Sequence, residues 1–309
     1  MSANSKIEWT DHTFNPWVGC TKISPGCDHC YAESWAKRSG MVRWGPDAPR
    51  RLTSEANWNQ VAKWDRAARL ANTRVKVFCA SLADVFDNEA KTEWRMRLAS
   101  LIYDTTNIDW LLLTKRIGNV APMCSGDSVL FDVIATKVWL GITVVNQEEA
   151  DRDIPKLLAI PAHKRFLSIE PMLGPVDLER PRPGPDLGQE GNKICQPWLI
   201  QSGIDWIIAG GESGPGARPA QPDWFRSLRD QCAAAGVPFF FKQWGEWIES
   251  SPLPGGDLGG DLRRGNVQHM HAPGNPEGYY RRGDAYVRRV GKKTAGRILD
   301  GRTHDEFPK

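Results

Sequence analysis

The chain has 309 residues, of which 40% are hydrophobic and 25% charged, and its 29 glycines and 22 prolines fit a globular protein rather than collagen, coiled coil or a disordered chain. The formal net charge of +3 is too small to attract nucleic acid to the whole molecule, so any contact with nucleic acid must be local. The length fits either one large α/β barrel or two smaller domains.

The sequence shows no signal for membrane insertion or export. No basic start followed by a long apolar core occurs at the amino terminus, and nowhere do apolar residues run together for the ~18 positions that a membrane helix needs. We therefore expect a cytoplasmic protein with no membrane partner.

Short apolar runs that end in polar residues recur along the chain after a tryptophan-rich start. Each run is rich in β-branched or aromatic residues and lacks clean alternation, which is typical of a strand buried on both faces. The predicted strands are Val75–Ala80, Trp110–Leu113, Val138–Val144, Arg165–Ile169, Trp206–Ala209 and Pro238–Phe241.

Segments with helical periodicity lie between these runs. The predicted helices are Trp58–Leu70, Ala90–Tyr103, Gln147–Leu158 and Pro222–Ala235. The last begins with Pro222 and Asp223 and closes at Gly236, which are typical signals for the start and end of a helix. Alternation of strand and helix predicts an α/β fold with parallel strands, and about six or seven βα units favour a partial or full (β/α) barrel. A doubly wound open sheet is the alternative.

Two stretches rich in glycine and proline, residues 180–197 and 251–274, are predicted to be surface loops or lids. We expect a barrel domain over residues 1–250, with the first stretch as an insertion in it. Residues 251–309 would form a loop and a basic extension packed on the barrel. The basic part, residues 281–301, fits a solvated amphipathic segment as well as a phosphate-binding one.

Three of the seven cysteines, Cys20, Cys27 and Cys30, are clustered in one loop that is rich in glycine and proline. This arrangement differs from the disulfide framework of a small secreted domain. Thiolates are soft ligands that select zinc or an iron–sulfur cluster. If the centre is a [4Fe–4S] cube, three ligands leave one iron without a protein ligand, and an open coordination site indicates a reactive centre.

Two other interpretations of the cysteines remain open. Cys79, His12 or His29 could supply a fourth ligand and close a structural zinc site. The protein would then be a non-enzymatic, zinc- or cluster-stabilised module that binds nucleic acid. In the other interpretation, the three thiols are reduced core residues of a barrel enzyme that has no cluster.

Polar side chains follow each predicted strand, and the carboxyl ends of parallel strands form the active face of such folds. Buried carboxylates are costly unless they are paired, so the acidic residues of this set need the neighbouring basic residues or donors on a ligand. We predict one pocket in which Lys115, Glu170 and Lys242 are catalytic. The whole set is Ser81, Asp84, Thr114, Lys115, Arg116, Thr143, Asn146, Gln147, Ser168, Glu170, Gly210, Gly211, Glu212, Ser213, Lys242 and Gln243.

The stretch NPWVGCTKISPGCDHCYAESWA, residues 15–36, resembles the radical S-adenosylmethionine (SAM) superfamily, in which a three-cysteine loop follows the first strand of a βα barrel. With AGGESGPGARP and VGKKTAGRILDGRTHDEFP downstream, the chain is similar over nearly its whole length to a phage-encoded family of three-cysteine-motif proteins regarded as radical-SAM-like. The spacing C-x6-C-x2-C departs from the C-x3-C-x2-C that is usual in the superfamily.

The resemblance implies that Cys20, Cys27 and Cys30 hold a [4Fe–4S] cluster whose fourth iron binds SAM. An external donor would supply an electron, and SAM would be cleaved to a 5′-deoxyadenosyl radical that abstracts hydrogen from a substrate. His29 or Tyr31 would lie against the adenine. Further SAM-binding residues implied in this way are Ser81, Asp84, Thr114, Thr143, Gly210, Gly211 and Glu212.

The Gly-Gly-Glu element of the superfamily ends the second strand, whereas Gly210, Gly211 and Glu212 follow the sixth strand here, if the tryptophan-rich start of the chain is counted as the first. Ser81 and Asp84 are therefore the alternative partners for the SAM amino group. A nucleotide or a modified DNA base, as in phage DNA hypermodification, is the substrate that the resemblance and the basic tail suggest. The host cytoplasm would then be the place of action.

Overall fold

The computed structural model describes residues 5–126, 128–179, 203–250, 265–271 and 284–309. The strands are β1 (His12–Phe14), β2 (Trp17–Val18), β3 (Arg51–Leu52), β4 (Val75–Cys79), β5 (Ile108–Thr114), β6 (Val138–Thr143), β7 (Lys164–Ile169), β8 (Trp206–Gly210), β9 (Phe239–Gln243), β10 (Trp247–Ser250), β11 (Val267–Met270) and β12 (Ala285–Arg289). The helices are α1 (Tyr31–Ser39), α2 (Glu55–Leu70), α3 (Thr92–Asp104), α4 (Ile117–Cys124), α5 (Ser128–Thr136), α6 (Gln147–Leu158), α7 (Pro222–Ala235) and α8 (Lys292–Ala295).

A seven-stranded parallel sheet has the order β1-β4-β5-β6-β7-β8-β9, so its strands follow one another as they do along the chain. In register, Val77 lies opposite Trp110 and Trp110 opposite Val138. A doubly wound sheet reverses its strand order at a switch point, and this order has no reversal. The predicted α/β partial barrel is confirmed.

The chain divides into two compact units. The first, Met1–Thr143 with Asp151–Ser168, contains the cysteine loop and the strands from β1 to β6. The second, Val144–Ala150 with Ile169–Lys309, contains β8, β9 and an antiparallel sheet of order β10-β12-β11. The predicted domain boundary at residue 250 stays a prediction.

Large side chains fill the interior of the first unit on both faces of its strands. Phe14 and Trp110 are fully buried, with their rings packed edge to face at 5.9 Å. Gly141 in β6 makes room for Phe166, because a Cβ at Gly141 would lie 2.3 Å from that ring. The apolar runs without polar–apolar alternation therefore correspond to strands buried on both faces, as predicted.

Helix α7 has the bounds that its end signals predict. Pro222 is its first residue, the Gln221 side chain accepts a hydrogen bond from the Asp223 amide, and Gly236 closes the helix in the left-handed conformation. Helix α6 also has its predicted bounds. Helix α2 ends at Leu70 as predicted but begins three residues earlier, and both ends of α3 differ by one or two residues from the prediction. Helices α1, α4 and α5 were not predicted.

The predicted loop over residues 251–274 needs a correction where the structure describes it, because Val267–Met270 forms strand β11. Strand β12 lies inside the basic tail and pairs with both β10 and β11. A small core in this sheet is formed by Trp247, Val287 and Ala217. The burial of these side chains stabilises the strands although the segment is polar in composition. The predicted insertion at 180–197 lies outside the described residues.

The described part of the chain holds no helix of the length and hydropathy that crossing a membrane requires.

Candidate functional site

The cysteine loop, residues 15–31, is shaped by short-range turns. Ser24 Oγ accepts a hydrogen bond from the Gly26 amide at 3.0 Å and caps a 3-10 turn over Pro25–Cys27. Cys30 is the residue before the first turn of α1. Cys27 and Cys30 are thus fixed by the end of one turn and the start of one helix, while Cys20 precedes the turn.

All three cysteines line one open pocket of the first unit. Each of the three cysteines is partly exposed. Residues after β4, β5 and β6 complete the wall of the pocket. The lining residues used below are Cys20, Cys27, Cys30, Tyr31, Ser81, Asp84, Thr114, Lys115, Arg116 and Thr143.

Arg116 connects the cysteine loop to the strand ends. Its Nη1 lies 3.4 Å from Cys20 Sγ and 3.1 Å from Asp84 Oδ2, and its Nη2 donates to the Thr21 carbonyl at 2.9 Å. Asp84 is almost fully buried and also accepts from the Thr114 hydroxyl at 2.8 Å. The carboxylate has the neighbouring cation that its burial requires.

The pKa of the Cys20 thiol depends on burial and on nearby charges of both signs. Burial raises the pKa of the Cys20 thiol to about 11, Arg116 opposes that shift, and Asp84 adds to it. Burial lowers the pKa of Arg116, but Asp84 and Cys20 raise it above its usual value overall. Arg116 is therefore a permanent cation beside the Cys20 sulfur.

A second buried arginine, Arg50, anchors the cysteine loop from the other side. Its Nε donates to Asp87 Oδ2 at 2.7 Å and its Nη2 to Thr21 Oγ1 at 2.8 Å. Neither side chain of the Arg50–Asp87 pair is more than 3% exposed. Removing one partner of such a pair leaves an uncompensated buried charge, so this pair holds the loop firmly.

Ser81 and Tyr31 meet at the edge of the pocket. The Tyr31 hydroxyl donates to the Ser81 carbonyl, and Asn15 Nδ2 donates to the Ser81 hydroxyl at 3.0 Å. The Leu82 amide donates to Asn15 Oδ1 at 2.7 Å. Tyr31 is 57% exposed. His29 is exposed and is not part of the lining.

Lys115 and Thr143 come from the ends of neighbouring strands, β5 and β6. Lys115 Nζ donates to Thr143 Oγ1 at 3.2 Å, and both residues line the pocket. This contact places an ammonium group on the wall of the pocket that carries the cysteines.

The fourth ligands considered from the sequence lie elsewhere. Cys79 is fully buried within β4, opposite Phe14, and burial raises the pKa of its thiol. The His12 ring stacks on Trp64 with 4.4 Å between ring centroids. Neither Cys79 nor His12 lines the pocket.

Among the described residues, the three thiols do not form a compact site for a single zinc ion. Tetrahedral zinc with Zn–S bonds of about 2.3 Å holds its sulfurs about 3.8 Å apart. Among the described residues, the set of potential metal ligands whose atoms all lie within 4.8 Å of one another does not include these cysteines.

In the second unit, Glu170 and Lys242 form a pair. Lys242 Nζ lies 2.9 Å from Glu170 Oε1, and Gln243 Nε2 donates to the same oxygen at 3.0 Å. Gln243 Oε1 is buried and has no hydrogen-bond partner among the described residues. The catalytic roles of Glu170 and Lys242 stay predictions.

The Gly-Gly-Glu element has local structural partners in the second unit. A Cβ at Gly211 would lie 1.9 Å from the Trp244 carbonyl oxygen, and one at Gly210 would touch Glu170. The Glu212 carboxylate accepts from the Arg218 amide at 2.7 Å and from its guanidinium at 2.6 Å. Close packing therefore accounts for the two glycines, and an ion pair accounts for the glutamate. A role of this element in SAM binding stays a prediction.

A comparison with protein families matches residues 4–308 to a family model described as "Protein of unknown function (DUF5131)". The chain belongs to the DUF5131 family.

Two structures of spore photoproduct lyase resemble this DUF5131 chain. A mutant with bound AdoMet and dinucleoside spore photoproduct has 12% identity and a TM-score of 0.43, and the match covers 91% of this chain and 69% of that one. The lyase complexed with dinucleoside spore photoproduct has 12% identity and a TM-score of 0.44, with 93% and 70% coverage. A comparison with curated protein sequences gave no match.

Sequence reasoning on this DUF5131 chain identified most of the pocket lining but missed its supports. Arg50, Asp87 and Asn15 lie outside the predicted set, as does Arg218 beside Glu212. No motif indicates these residues, and the partners of Arg50 and Asn15 also lie far away along the chain. The carboxylate of Asp87, three residues after Asp84, is the one signal that could have been followed.

Proposed function

We propose that this DUF5131 chain is a radical SAM enzyme whose [4Fe–4S] cluster is held by Cys20, Cys27 and Cys30. One observation carries the proposal: the three cysteines line a single pocket together with polar residues at or just after the carboxyl ends of three adjacent parallel strands. A metal centre with an open position and a set of ligand-binding groups would thus be combined in one unit.

The residues fit the cluster in type and placement. Thiolates are the protein ligands of such cubes, and these three thiols are partly exposed rather than buried in the core. Arg116 offers a charge-assisted hydrogen bond to a bound Cys20 thiolate, which favours its ionised form. When bound, the cluster would pass one electron from an external donor to SAM, which yields methionine and a 5′-deoxyadenosyl radical able to take hydrogen from a substrate.

The remaining lining residues suit SAM. Lys115 offers a cation to the SAM carboxylate, and Thr143 and Ser81 offer hydroxyl groups to its polar atoms. Asp84 offers negative charge toward the SAM ammonium, although Arg116 and Thr114 already use part of its capacity. The exposed ring of Tyr31 at the pocket edge is the better candidate for stacking on adenine than His29, which does not line the pocket.

We infer a nucleotide or a modified DNA base as the substrate, which would agree with a role in phage DNA hypermodification. Two observations support this inference: the similarity of the motifs to the phage-encoded three-cysteine family, and a basic segment in the second unit. Arg288 and Arg289 end strand β12, and Lys292 and Lys293 begin helix α8. Such a cluster suits phosphate groups.

Anaerobic reconstitution tests the reaction. Purified protein is loaded with iron and sulfide, reduced with dithionite and given SAM, and 5′-deoxyadenosine is measured by mass spectrometry. We expect formation of 5′-deoxyadenosine by the parent chain and its loss in Cys27→Ser, because a cluster ligand is removed. Cys124→Ser is the matched control, since Cys124 is buried in α4 outside the pocket. Iron-loaded protein without 5′-deoxyadenosine, or activity retained in Cys27→Ser, would contradict the proposal.

DNA binding tests the substrate class separately. We expect binding that weakens as salt rises, with a shallower salt dependence when Arg288, Arg289, Lys292 and Lys293 are changed to glutamine. A control variant neutralises an equal number of exposed basic residues of the first unit: Lys37, Lys63, Arg66 and Arg69. Equal binding by both variants, or no binding of DNA or nucleotides by the parent, argues against this substrate class and leaves the SAM reaction untouched.

A further inference from the structure

A second set of metal-ligand side chains lies on the three-stranded antiparallel sheet of the second unit. His269 is in β11, His271 follows that strand, and Asp284 immediately precedes β12. Met270 lies opposite Ala285 and His269 opposite Tyr286, so the end of β11 and the start of β12 are adjacent. The two strands therefore bring the imidazoles and the carboxylate together.

Alternation along the strand separates these histidines from the small core of this sheet. Side chains two residues apart on a strand share a face, and the residue between them points to the other. Met270 packs against the core formed by Trp247, Val287 and Ala217. His269 and His271 share the opposite face, where their ring centroids lie 4.4 Å apart.

The distances within this set match those of a tetrahedral metal site. His269 Nε2 lies 3.0 Å and His271 Nδ1 3.7 Å from Asp284 Oδ2. One donor atom from each of the three residues falls within 4.8 Å of the other two. Bonds of about 2.0–2.1 Å to imidazole nitrogen and carboxylate oxygen place neighbouring ligand atoms of a tetrahedral ion about 3.3–3.4 Å apart. The two distances to Asp284 Oδ2, 3.0 and 3.7 Å, lie below and above that value.

Burial gives the set its electrostatic character. The Asp284 side chain is fully buried, while those of His269 and His271 are 22% and 25% exposed. A buried carboxylate favours positive charge beside it, so a divalent cation bound to the imidazoles would interact favourably with Asp284. The His269 ring also stacks on Tyr286 at 5.0 Å, which fixes its orientation.

We propose that His269, His271 and Asp284 bind a divalent first-row transition metal ion of the zinc class. Two imidazoles and one carboxylate suit zinc and its chemical neighbours rather than calcium or magnesium, which prefer sites made of oxygen atoms. Three protein ligands leave one coordination position for water or for a group of a substrate or partner. The ion would also tie the end of β11 to the start of β12.

This site is independent of the cysteine pocket, and the experiment separates the two. The probe is Zn²⁺ added to the full chain that carries Cys20→Ser, Cys27→Ser and Cys30→Ser, so that the cysteine loop offers no thiolates. After treatment with a chelator, addition of the metal and gel filtration, we expect about one zinc ion per chain. X-ray absorption should show nitrogen and oxygen neighbours and no sulfur.

Single changes in the same serine background assign the ligands. His271→Ala should weaken zinc binding at least about 10-fold, and Asp284→Asn should do the same. His163→Ala is the matched control, because His163 is exposed in the first unit and should leave binding unchanged. His271 is partly exposed, so its variant should keep the parent circular dichroism. His269→Gln is a second variant in case Asp284→Asn fails to fold.

Zinc that is absent from the serine background, or bound as tightly after His271→Ala as before, would overturn the proposal. Sulfur neighbours in the absorption spectrum would overturn it too. The SAM reaction is tested by other measurements, namely the iron and sulfide content and the 5′-deoxyadenosine formed by the parent chain. Either inference can therefore fail while the other stands.

Discussion

At the scale of single residues, Arg116 is the side chain that we expect to affect the proposed cluster, because it contacts a cluster ligand and a buried carboxylate. Its guanidinium lies 3.4 Å from Cys20 Sγ and 3.1 Å from the buried Asp84 carboxylate. Hydrogen bonds and charge near the ligand sulfurs are among the factors that set the reduction potential of iron–sulfur clusters. The potential of the cluster should therefore depend on this residue.

Arg116→Gln should lower the reduction potential of the reconstituted cluster. Losing a positive charge and a donor to a ligand sulfur disfavours the more negative, reduced state. A hydrogen bond to a charged group is worth about 1.5–3 kcal/mol, and because only part of it differs between the two oxidation states, we expect a shift on the order of 50 mV. A redox titration followed by electron paramagnetic resonance measures it.

Arg97→Gln is the control for this change, since Arg97 pairs with Glu55 on the surface of the first unit. Its potential should equal that of the parent. An unchanged or higher potential in Arg116→Gln would show that the guanidinium does not act on the cluster.

At the scale of elements, the packing of β6 against β7 depends on the absence of a side chain. Gly141 and Phe166 are opposite each other in register, and the Phe166 ring occupies the space that a Cβ on Gly141 would need. The sequence shows only a glycine inside an apolar run, which gives no information about the neighbour that requires it.

Gly141→Ala should destabilise the fold by about 1–3 kcal/mol, because overpacking forces side chains or backbone to move. Adding Phe166→Leu should recover part of the loss, since the ring that clashes is gone. Urea unfolding of the single and double variants measures both effects. Gly118→Ala is the matched control, because no atom lies within 4 Å of its new Cβ and the position is helical. Equal free energies of unfolding for Gly141→Ala and the parent would contradict this account of the packing.

The carboxyl-terminal segment is held to strand β9 through His304. Its carbonyl accepts a hydrogen bond from the Phe241 amide at 3.0 Å, and its ring packs on Phe239. The side chain is almost fully buried. Burial lowers the pKa of His304, and Arg302 lowers it further. The folded state therefore favours the neutral imidazole.

The stability of this segment should depend on pH with a definite sign. Because the pKa of His304 is lower in the folded than in the unfolded state, its contribution is fully present above about pH 6.5 and is lost as the pH falls through the folded-state pKa. Chemical unfolding at several pH values should show a smaller acid loss in His304→Gln than in the parent. His163→Gln should keep the parent slope. An identical slope in His304→Gln would refute this contribution.

At the scale of the whole molecule, the parallel sheet was predictable because its signals are local. Apolar runs identify strands buried on both faces, and Pro222 and Gly236 mark the ends of α7. The placement of Ser81, Asp84, Lys115 and the other residues after β4 and β5 then follows from parallel topology. These features need no knowledge of distant contacts.

Other features were not predictable, since they depend on partners that are remote in sequence. Arg50 pairs with Asp87, which lies 37 residues further along the chain. Strands β11 and β12 are short and polar, and their pairing is stabilised by the buried Val267, Val287 and Trp247. The juxtaposition of His269 with Asp284 results from that pairing, so the sequence alone did not reveal it.

The central claim is that three thiolates of one loop hold an iron–sulfur cube with an iron open to SAM. Electron paramagnetic resonance of the reduced, reconstituted protein, recorded before and after SAM is added, tests this claim most directly. We predict the signal of a [4Fe–4S] cluster that changes shape when SAM binds the open iron. A signal that SAM leaves unchanged, or a cysteine site that takes up zinc closed by a fourth side chain and no iron, would contradict the account.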